Sequence, residues 1–199
     1  MSLKISKKKF VYLISPNKIP NSFYKNLKLV FKTKKVSFFQ LRLKNYSLKK
    51  KIIIGKKIKN ICKKYKVKFI INDDPLLALK LDADGCHLGQ KDMNIYIAKK
   101  ILGKKIIGIT CHNSMNLAKK AIKAKADYIA FGAFNQSKTK KTKHVASVKI
   151  LNKVKKEKIN LYKDFYVFTG STVGVVPFKG KGLYKGTIDK IGSVSVNIR

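Results

Sequence analysis

KFIINDDPLLALKLDADGCHLGQKD, residues Lys68 to Asp92, decides how the chain folds. An apolar run, Phe69-Ile70-Ile71, stops abruptly at Asn72-Asp73-Asp74. A second short run ends in Gly85-Cys86-His87-Leu88-Gly89-Gln90, with Asp92 just beyond. Between them Pro75–Leu81 opens on a proline, which suits the first turn of a helix. Strand, helix and strand in this order predict a parallel pair whose two C-terminal ends each deliver a carboxylate to one rim. The chain has nine acidic residues, and Asp73, Asp74, Asp82, Asp84 and Asp92 all fall here. Such placement suits a hard cation such as Mg²⁺, which takes oxygen ligands and keeps several waters. Asp is also a helix cap and turn former. Asp74 and Asp84 are expected in that second role, and Asp73 and Asp92 as the metal pair.

Working outward, the same alternation recurs. Phe10–Ser15, Val36–Leu43, Lys105–Cys111 and Tyr128–Ala133 are short apolar runs that read as buried strands. Phe23–Phe31, Leu48–Tyr65, Asn94–Leu102, Ser114–Ala126 and Val145–Lys158 carry apolar residues at helical spacing. Six strand–helix units in succession predict a parallel α/β fold. Polar residues recur at the end of strand after strand: Gln40/Arg42/Lys44, Asn72/Asp73, His87/Gln90/Asp92 and Thr110/His112. A closed (β/α)₈ TIM barrel collects such residues on one rim. An open doubly wound sheet gathers them near one crevice. The barrel is therefore preferred, as one domain over residues 1–199.

The charge balance is extreme. The 199 residues carry 47 Lys and Arg against nine Asp and Glu, a formal net charge of +38. This invites a nucleic-acid-binding reading. Only Arg42 and Arg199 are arginines, however, and the lysines are spread over every segment. No aromatic RNA-binding signature or zinc-finger spacing is present. Lys, Ile and Asn share AT-rich codons, so gene composition suffices to explain the excess, and nucleic acid is disfavoured as a partner. Cys62, Cys86 and Cys111 lie in or beside apolar runs and read as buried, reduced thiols of a cytoplasmic protein. The apolar run after the basic N-terminus is too short for a signal peptide, and no segment is long and apolar enough to span a bilayer.

Arg42 stands where lysine is otherwise the rule, which points to a place that needs a planar, bidentate phosphate binder. Lys44 adds a point charge. At period two, Gln40, Arg42 and Lys44 would share one face. With Asp73 and Asp92 they imply a metal-bound polyphosphate. The loop Ser137-Lys138-Thr139-Lys140 offers two hydroxyls and two ammoniums for a second phosphate. His87, His112 and His144 are not at metal spacing, and His87 fits either the site's lining or the core. Cys111 and His112 do not make a nucleophile–base pair, because neighbours on a strand point to opposite faces.

FFQLRLKN, FIINDDPLLALKLDADGCHLGQKDM, IIGITCHN and DYIAFGAFNQSKTK together resemble thiamine phosphate synthase, in order and at fitting separations. The resemblance covers roughly residues 12–158, and the GxHLGQxD motif is highly specific. It implies a (β/α)₈ barrel that joins a hydroxymethylpyrimidine diphosphate to a thiazole phosphate with loss of pyrophosphate. By that resemblance Gln40, Arg42, Lys44 and Asn72 would bind the pyrimidine diphosphate, and Asp73 and Asp92 would bind Mg²⁺. Thr110 stands for the family's usual Ser and keeps its hydroxyl as a substrate-binding group. Ser137, replacing the usual Thr, and Thr139 would hold the thiazole phosphate, and Lys140 would reach the diphosphate. Arg42, Lys44 and Lys140 would be the catalytic cations. The related thiazole tautomerases need no diphosphate–Mg²⁺ site, so Asn72-Asp73 and Gln90-Asp92 argue against that branch. A homo-oligomer is left open.

Residues 159–199 depart from this pattern. They hold no Gly-Gly pair, no evident amphipathic helix, and a charge-free β-prone run at Phe165–Phe178. The expectation is a replaced or frame-shifted terminus, leaving the last two barrel units atypical or missing and the chain open to being an inactive barrel remnant.

Overall fold

The computed structural model describes residues 11–134, 145–147, 149–157, 166–168, 182–188 and 192–198. The chain divides into two compact units, Met1–Asn72 with Lys80–Asp84 and Pro177–Arg199, and Asp73–Leu79 with Gly85–Val176. In the first, β1 (Val11–Ile14), α1 (Phe23–Lys32), β2 (Val36–Leu41), α2 (Leu48–Lys64) and β3 (Lys68–Asn72) alternate. The three strands pair in parallel, β1 with β2 and β2 with β3. The helix α3 (Pro75–Lys80) follows. The second unit continues with β4 (Gly85–Leu88), α4 (Ile95–Leu102), β5 (Ile106–His112), α5 (Met115–Lys123), β6 (Tyr128–Phe131), α6 (Lys149–Lys156) and β7 (Tyr166–Phe168). Here too the neighbours β4–β5, β5–β6 and β6–β7 are parallel. The fold is therefore α/β with parallel strands, as the alternation predicted. The divergent tail contributes β7 as a further parallel strand. It also contributes an antiparallel hairpin, β8 (Gly182–Ile188) with β9 (Gly192–Ile198), in place of a strand–helix unit.

Each core follows from the helical and strand periodicities. In the first unit Leu27, Val30 and Phe31 of α1 and Ile58, Ile61 and Cys62 of α2 are buried with Phe39 and Phe69. Phe31 packs edge-on against both Phe39 and Tyr65, with centroids 5.9 and 6.0 Å apart. Gly55 sits where any Cβ would strike the Leu81 side chain. In the second unit Ala98, Ala118 and Ala121 are buried beside Leu88, Ile107, Ile129 and Phe131. Small helix faces of this kind let a helix settle closely on a parallel sheet.

Two aspartates clasp strand residues. Asp84 donates its N–H to the Phe69 carbonyl at 2.8 Å, and its carboxylate accepts the Phe69 N–H at 2.9 Å. Asp127 repeats this with Ile107, at 2.8 and 2.9 Å. Each thereby clasps one residue of a strand from both sides, and satisfies a strand-end N–H that the ladder leaves unpaired. Asp84 is thus structural, though as a strand clasp rather than the cap or turn former expected. Asp74 is too: its carboxylate caps α3 by accepting the Leu77 N–H at 2.9 Å.

The helices end in a repeated way. Lys34, Lys66, Asp82 and Lys125 lie two residues past the last residues of α1, α2, α3 and α5, all with positive φ, between 46° and 58°. At α2 and α5 the following N–H reaches back to the helix, Val67 to Cys62 O at 2.9 Å and Ala126 to Ala121 O at 3.0 Å. That is the Schellman closure, which usually employs glycine. A left-handed L-residue costs about 1–2 kcal/mol, and α4 avoids it through Gly103. Lys66→Gly and Lys125→Gly should each therefore raise unfolding free energy in urea by about 0.5–1 kcal/mol, after the entropy glycine adds to the unfolded chain. Loss of stability in both variants would show that the lysine side chains contribute more than the strain removes.

Candidate active site

In the second unit the site is built around β4 and its exit. Asp73 has φ of 66° and donates its backbone N–H to the His87 carbonyl at 2.7 Å. Asp92 accepts the Gly89 N–H through Oδ2 at 2.6 Å. Two carboxylate-bearing residues are thus tied to positions two residues apart on one strand end. Both act on the Cys86 thiol, which is pushed strongly upward, first by burial and then by Asp74, Asp73 and Asp92. Cys86 is thus buried beside these carboxylates at the end of β4. An all-oxygen donor pair fits a hard divalent cation completed by water or phosphate oxygens. No group of three or more His, Cys, Asp or Glu is gathered at metal-binding spacing among the described residues. A cation here would accordingly depend on these two carboxylates and on non-protein oxygens.

Next to the carboxylates lies a polar cluster that spans three strands. The parallel register sets His87 opposite Gly108 and Gly108 opposite Tyr128. On one face of a sheet these three form a row, and the central position has no side chain. His87 and Tyr128 meet across the gap, stacked with centroids 5.4 Å apart and planes 25° apart. The Tyr128 hydroxyl lies 2.9 Å from His87 Nδ1, and Thr110 Oγ1 lies 2.8 Å from Nε2. Gln90 donates its side-chain amide to the Thr110 carbonyl. A β-bulge follows directly, with the register shifting between Thr110 and His112, and His112 takes φ of 50°. Bulges at a strand end re-aim the side chains beside them. Cys111 is buried, and its thiol is pushed up to about 12 by burial. It is a neutral core group rather than a nucleophile, as its strand position implied.

In the first unit Gln40, Arg42 and Lys44 follow the end of β2. Gln40 is buried and donates to the Tyr12 hydroxyl at 3.1 Å. The Arg42 N–H donates to Ser15 Oγ at 2.9 Å, and its Nη1 donates to Asn17 Oδ1 at 3.0 Å. Asn17 thereby holds one edge of the guanidinium in place, which conserves the fork's geometry for an anion. The expected strand Val36–Leu43 is shorter, however, and ends at Leu41. The Ser15 hydroxyl takes the Arg42 N–H in place of a ladder partner. Period-two alternation therefore no longer governs Arg42 and Lys44, and Lys44 sits exposed in a turn. Asn72 closes β3, half-buried. Ser137, Thr139 and Lys140, with His144, lie outside the described residues.

Structure thus brings Asp73, Asp92 and Thr110 together in one unit, and Gln40 with Arg42 in the other. Sequence reading missed Tyr128, Tyr12, Ser15 and Asn17. One signal was available: an isolated glycine inside the apolar run Ile106-Ile107-Gly108-Ile109 marks a close approach by a neighbour.

Comparison with known proteins points to a family. A family model described as thiamine monophosphate synthase matches residues 11–172. A thiamine-phosphate synthase of Pelagibacter ubique is 67% identical over 150 residues, which are 75% of this chain and 72% of that protein. One from Marinobacter nauticus is 41% identical over 117 residues, 58% of this chain and 53% of its own. The chain thus spans from about half to about three-quarters of these relatives. Among solved structures, a thiamine phosphate pyrophosphorylase from Pyrococcus furiosus superposes with TM-score 0.68 at 27% identity, covering 82% of this chain and 76% of that one.

A Cβ added at Gly108 would run into the Tyr128 ring. Gly108→Ala should therefore destabilise the protein by about 1–3 kcal/mol in urea unfolding, as overpacking does. An unchanged midpoint would mean that the His87–Tyr128 stack can open without cost.

Proposed function

We propose that this chain, which belongs to the thiamine monophosphate synthase family, a family of transferases in thiamine biosynthesis, joins a hydroxymethylpyrimidine diphosphate to a thiazole phosphate and releases pyrophosphate. The observation that carries the reading is the carboxylate pair Asp73 and Asp92, anchored two residues apart at the end of β4. A tautomerase acting on the thiazole alone would not need it. The fold belonging to this reading is a (β/α)₈ barrel whose last units are atypical.

In this reading Asp73 and Asp92 would hold Mg²⁺, which when bound supplies positive charge to the diphosphate oxygens. Arg42, kept in orientation by Asn17, binds phosphate oxygens through its planar fork. Gln40 and Asn72 orient the pyrimidine diphosphate, and Lys44 adds charge. Lys140 neutralises the leaving group, while Ser137 and Thr139 hold the thiazole phosphate. The thiazole nitrogen's lone pair forms a new bond to the pyrimidine's exocyclic methylene carbon. The bond from that carbon to the diphosphate oxygen breaks, and its electrons leave with pyrophosphate. No protein nucleophile takes part, so the side chains act by position and charge. Three buried, unpaired thiols suit a cytoplasmic enzyme.

The test is turnover of both substrates by the full chain, followed as thiamine phosphate formed with Mg²⁺ and after chelation. Formation should stop on chelation. Asp73→Asn should lower kcat at least about a hundredfold while leaving the fold intact. Folded protein that forms no product, or forms it equally well in chelator, would sink the proposal.

A further inference from the structure

His87 is hydrogen-bonded at both ring nitrogens, to Tyr128 through Nδ1 and to Thr110 through Nε2. A neutral imidazole has one N–H and one lone pair, so the two hydroxyls must be polarised in the same sense along the chain. Two arrangements satisfy this. In one, Tyr128 donates to Nδ1, Nε2–H donates to Thr110, and Thr110 turns its own proton away from the ring. In the other, Thr110 donates to Nε2 and Nδ1–H donates to Tyr128, so Thr110 offers only lone pairs elsewhere. Ionised phosphate oxygens accept hydrogen bonds and donate none. If Thr110 meets a phosphorylated substrate, only the first arrangement presents it with a donor.

The geometry points to Tyr128 as a positioning residue: its buried hydroxyl holds His87 in the Nε2–H form, so that the Thr110 hydroxyl donates to the phosphorylated substrate. This deepens the proposed function and rests on it. Tyr128 is 2% exposed, so its hydroxyl is shielded from bulk water. Gly108 is the enabling element, since any side chain there would hold the two rings apart. Gln90 grips the same Thr110 residue through its backbone carbonyl, so both the backbone and the hydroxyl of Thr110 are fixed. The tautomer of a histidine is set by what its other nitrogen bonds to, and here that partner is Tyr128.

The experiment is a double-mutant cycle in the full chain with Mg²⁺, using Tyr128→Phe, Thr110→Val and the pair. Both substitutions keep shape, the first preserving the stacked ring and the second the β-branched stem. Tyr128→Phe alone should lower kcat/KM for the pyrimidine diphosphate about tenfold, and Thr110→Val by ten- to a hundredfold. In the Thr110→Val background Tyr128→Phe should cause no further loss, because its effect runs through Thr110. An equal loss in both backgrounds would reduce Tyr128 to a packing residue and overturn the inference, as would no loss in the single variant. The second readout does not depend on turnover. The His87 ¹⁵N resonances, assigned with His87→Gln, should show a protonated Nε2 in the parent chain and a mixture of tautomers in Tyr128→Phe. A protonated Nδ1 in the parent chain would refute the assignment. If the parent chain forms no product, the proposed reaction fails, and the ring's protonation still decides the Tyr128 assignment separately.

Discussion

Asp127 holds Ile107 by two hydrogen bonds, one from its N–H and one to its carboxylate, and the polar cluster of the second unit hangs on that clasp. It seats β6 against β5 in the register that puts Tyr128 opposite Gly108. A slip of one residue would turn Tyr128 to the other face and set Ile107 or Ile109 beside it. His87 would then have neither the stacked ring nor the hydroxyl at Nδ1. Asp84 does the same for Phe69 in the first unit. Both aspartates follow an alanine and precede a strand, in Ala83-Asp84-Gly85 and Ala126-Asp127-Tyr128. One local solution is thus used twice, once in each unit, to hold a strand residue in place.

The scarcity of carboxylates gives this economy its meaning. In a chain of net charge +38, an acidic side chain finds a cation easily, and a surface ion pair is worth little. Asp82 illustrates it: it pairs with Lys59 at 2.6 Å yet stays 74% exposed. The carboxylates that matter instead accept backbone N–H groups, as Asp74, Asp84, Asp92 and Asp127 do. Such bonds fix geometry in a way that a flexible lysine does not. The surplus of lysine then acts at long range, as a positive field that attracts anions.

What could be read from sequence follows the range of the forces involved. Strands and helices of the first six units were legible, because burial imposes a period on neighbouring residues. Asp74 as a cap was legible too, since it lies three residues before the N–H it accepts. The end of β2 was not. Leu43 is buried like a strand residue, but the chain leaves the ladder at Leu41 because Ser15, 27 residues away, takes the Arg42 N–H. Tyr128 lies in the run Tyr128–Ala133, which reads as a buried strand, and it is buried. Its hydroxyl acquires a role only when β4 and β5 supply His87 and the gap at Gly108. Left-handed Lys34, Lys66 and Lys125 were illegible for another reason: lysine gives no signal of positive φ, and the turn geometry overrides its preference.

Residue 110 shows how these constraints converge. The resemblance to the synthase family puts serine there, and this chain has threonine. In a strand a β-branched residue is favoured, and its χ1 is stiff. Serine would keep the hydroxyl but let it rotate among three wells, each open to a different partner. Threonine narrows that choice, and the 2.8 Å contact with His87 selects among what remains. Gln90 holds the carbonyl of the same residue just before the bulge. The hydroxyl is thus placed by its own branching, by its neighbour across the sheet and by the strand's exit. The methyl group adds rigidity to a group whose direction, more than its presence, decides what it can donate to.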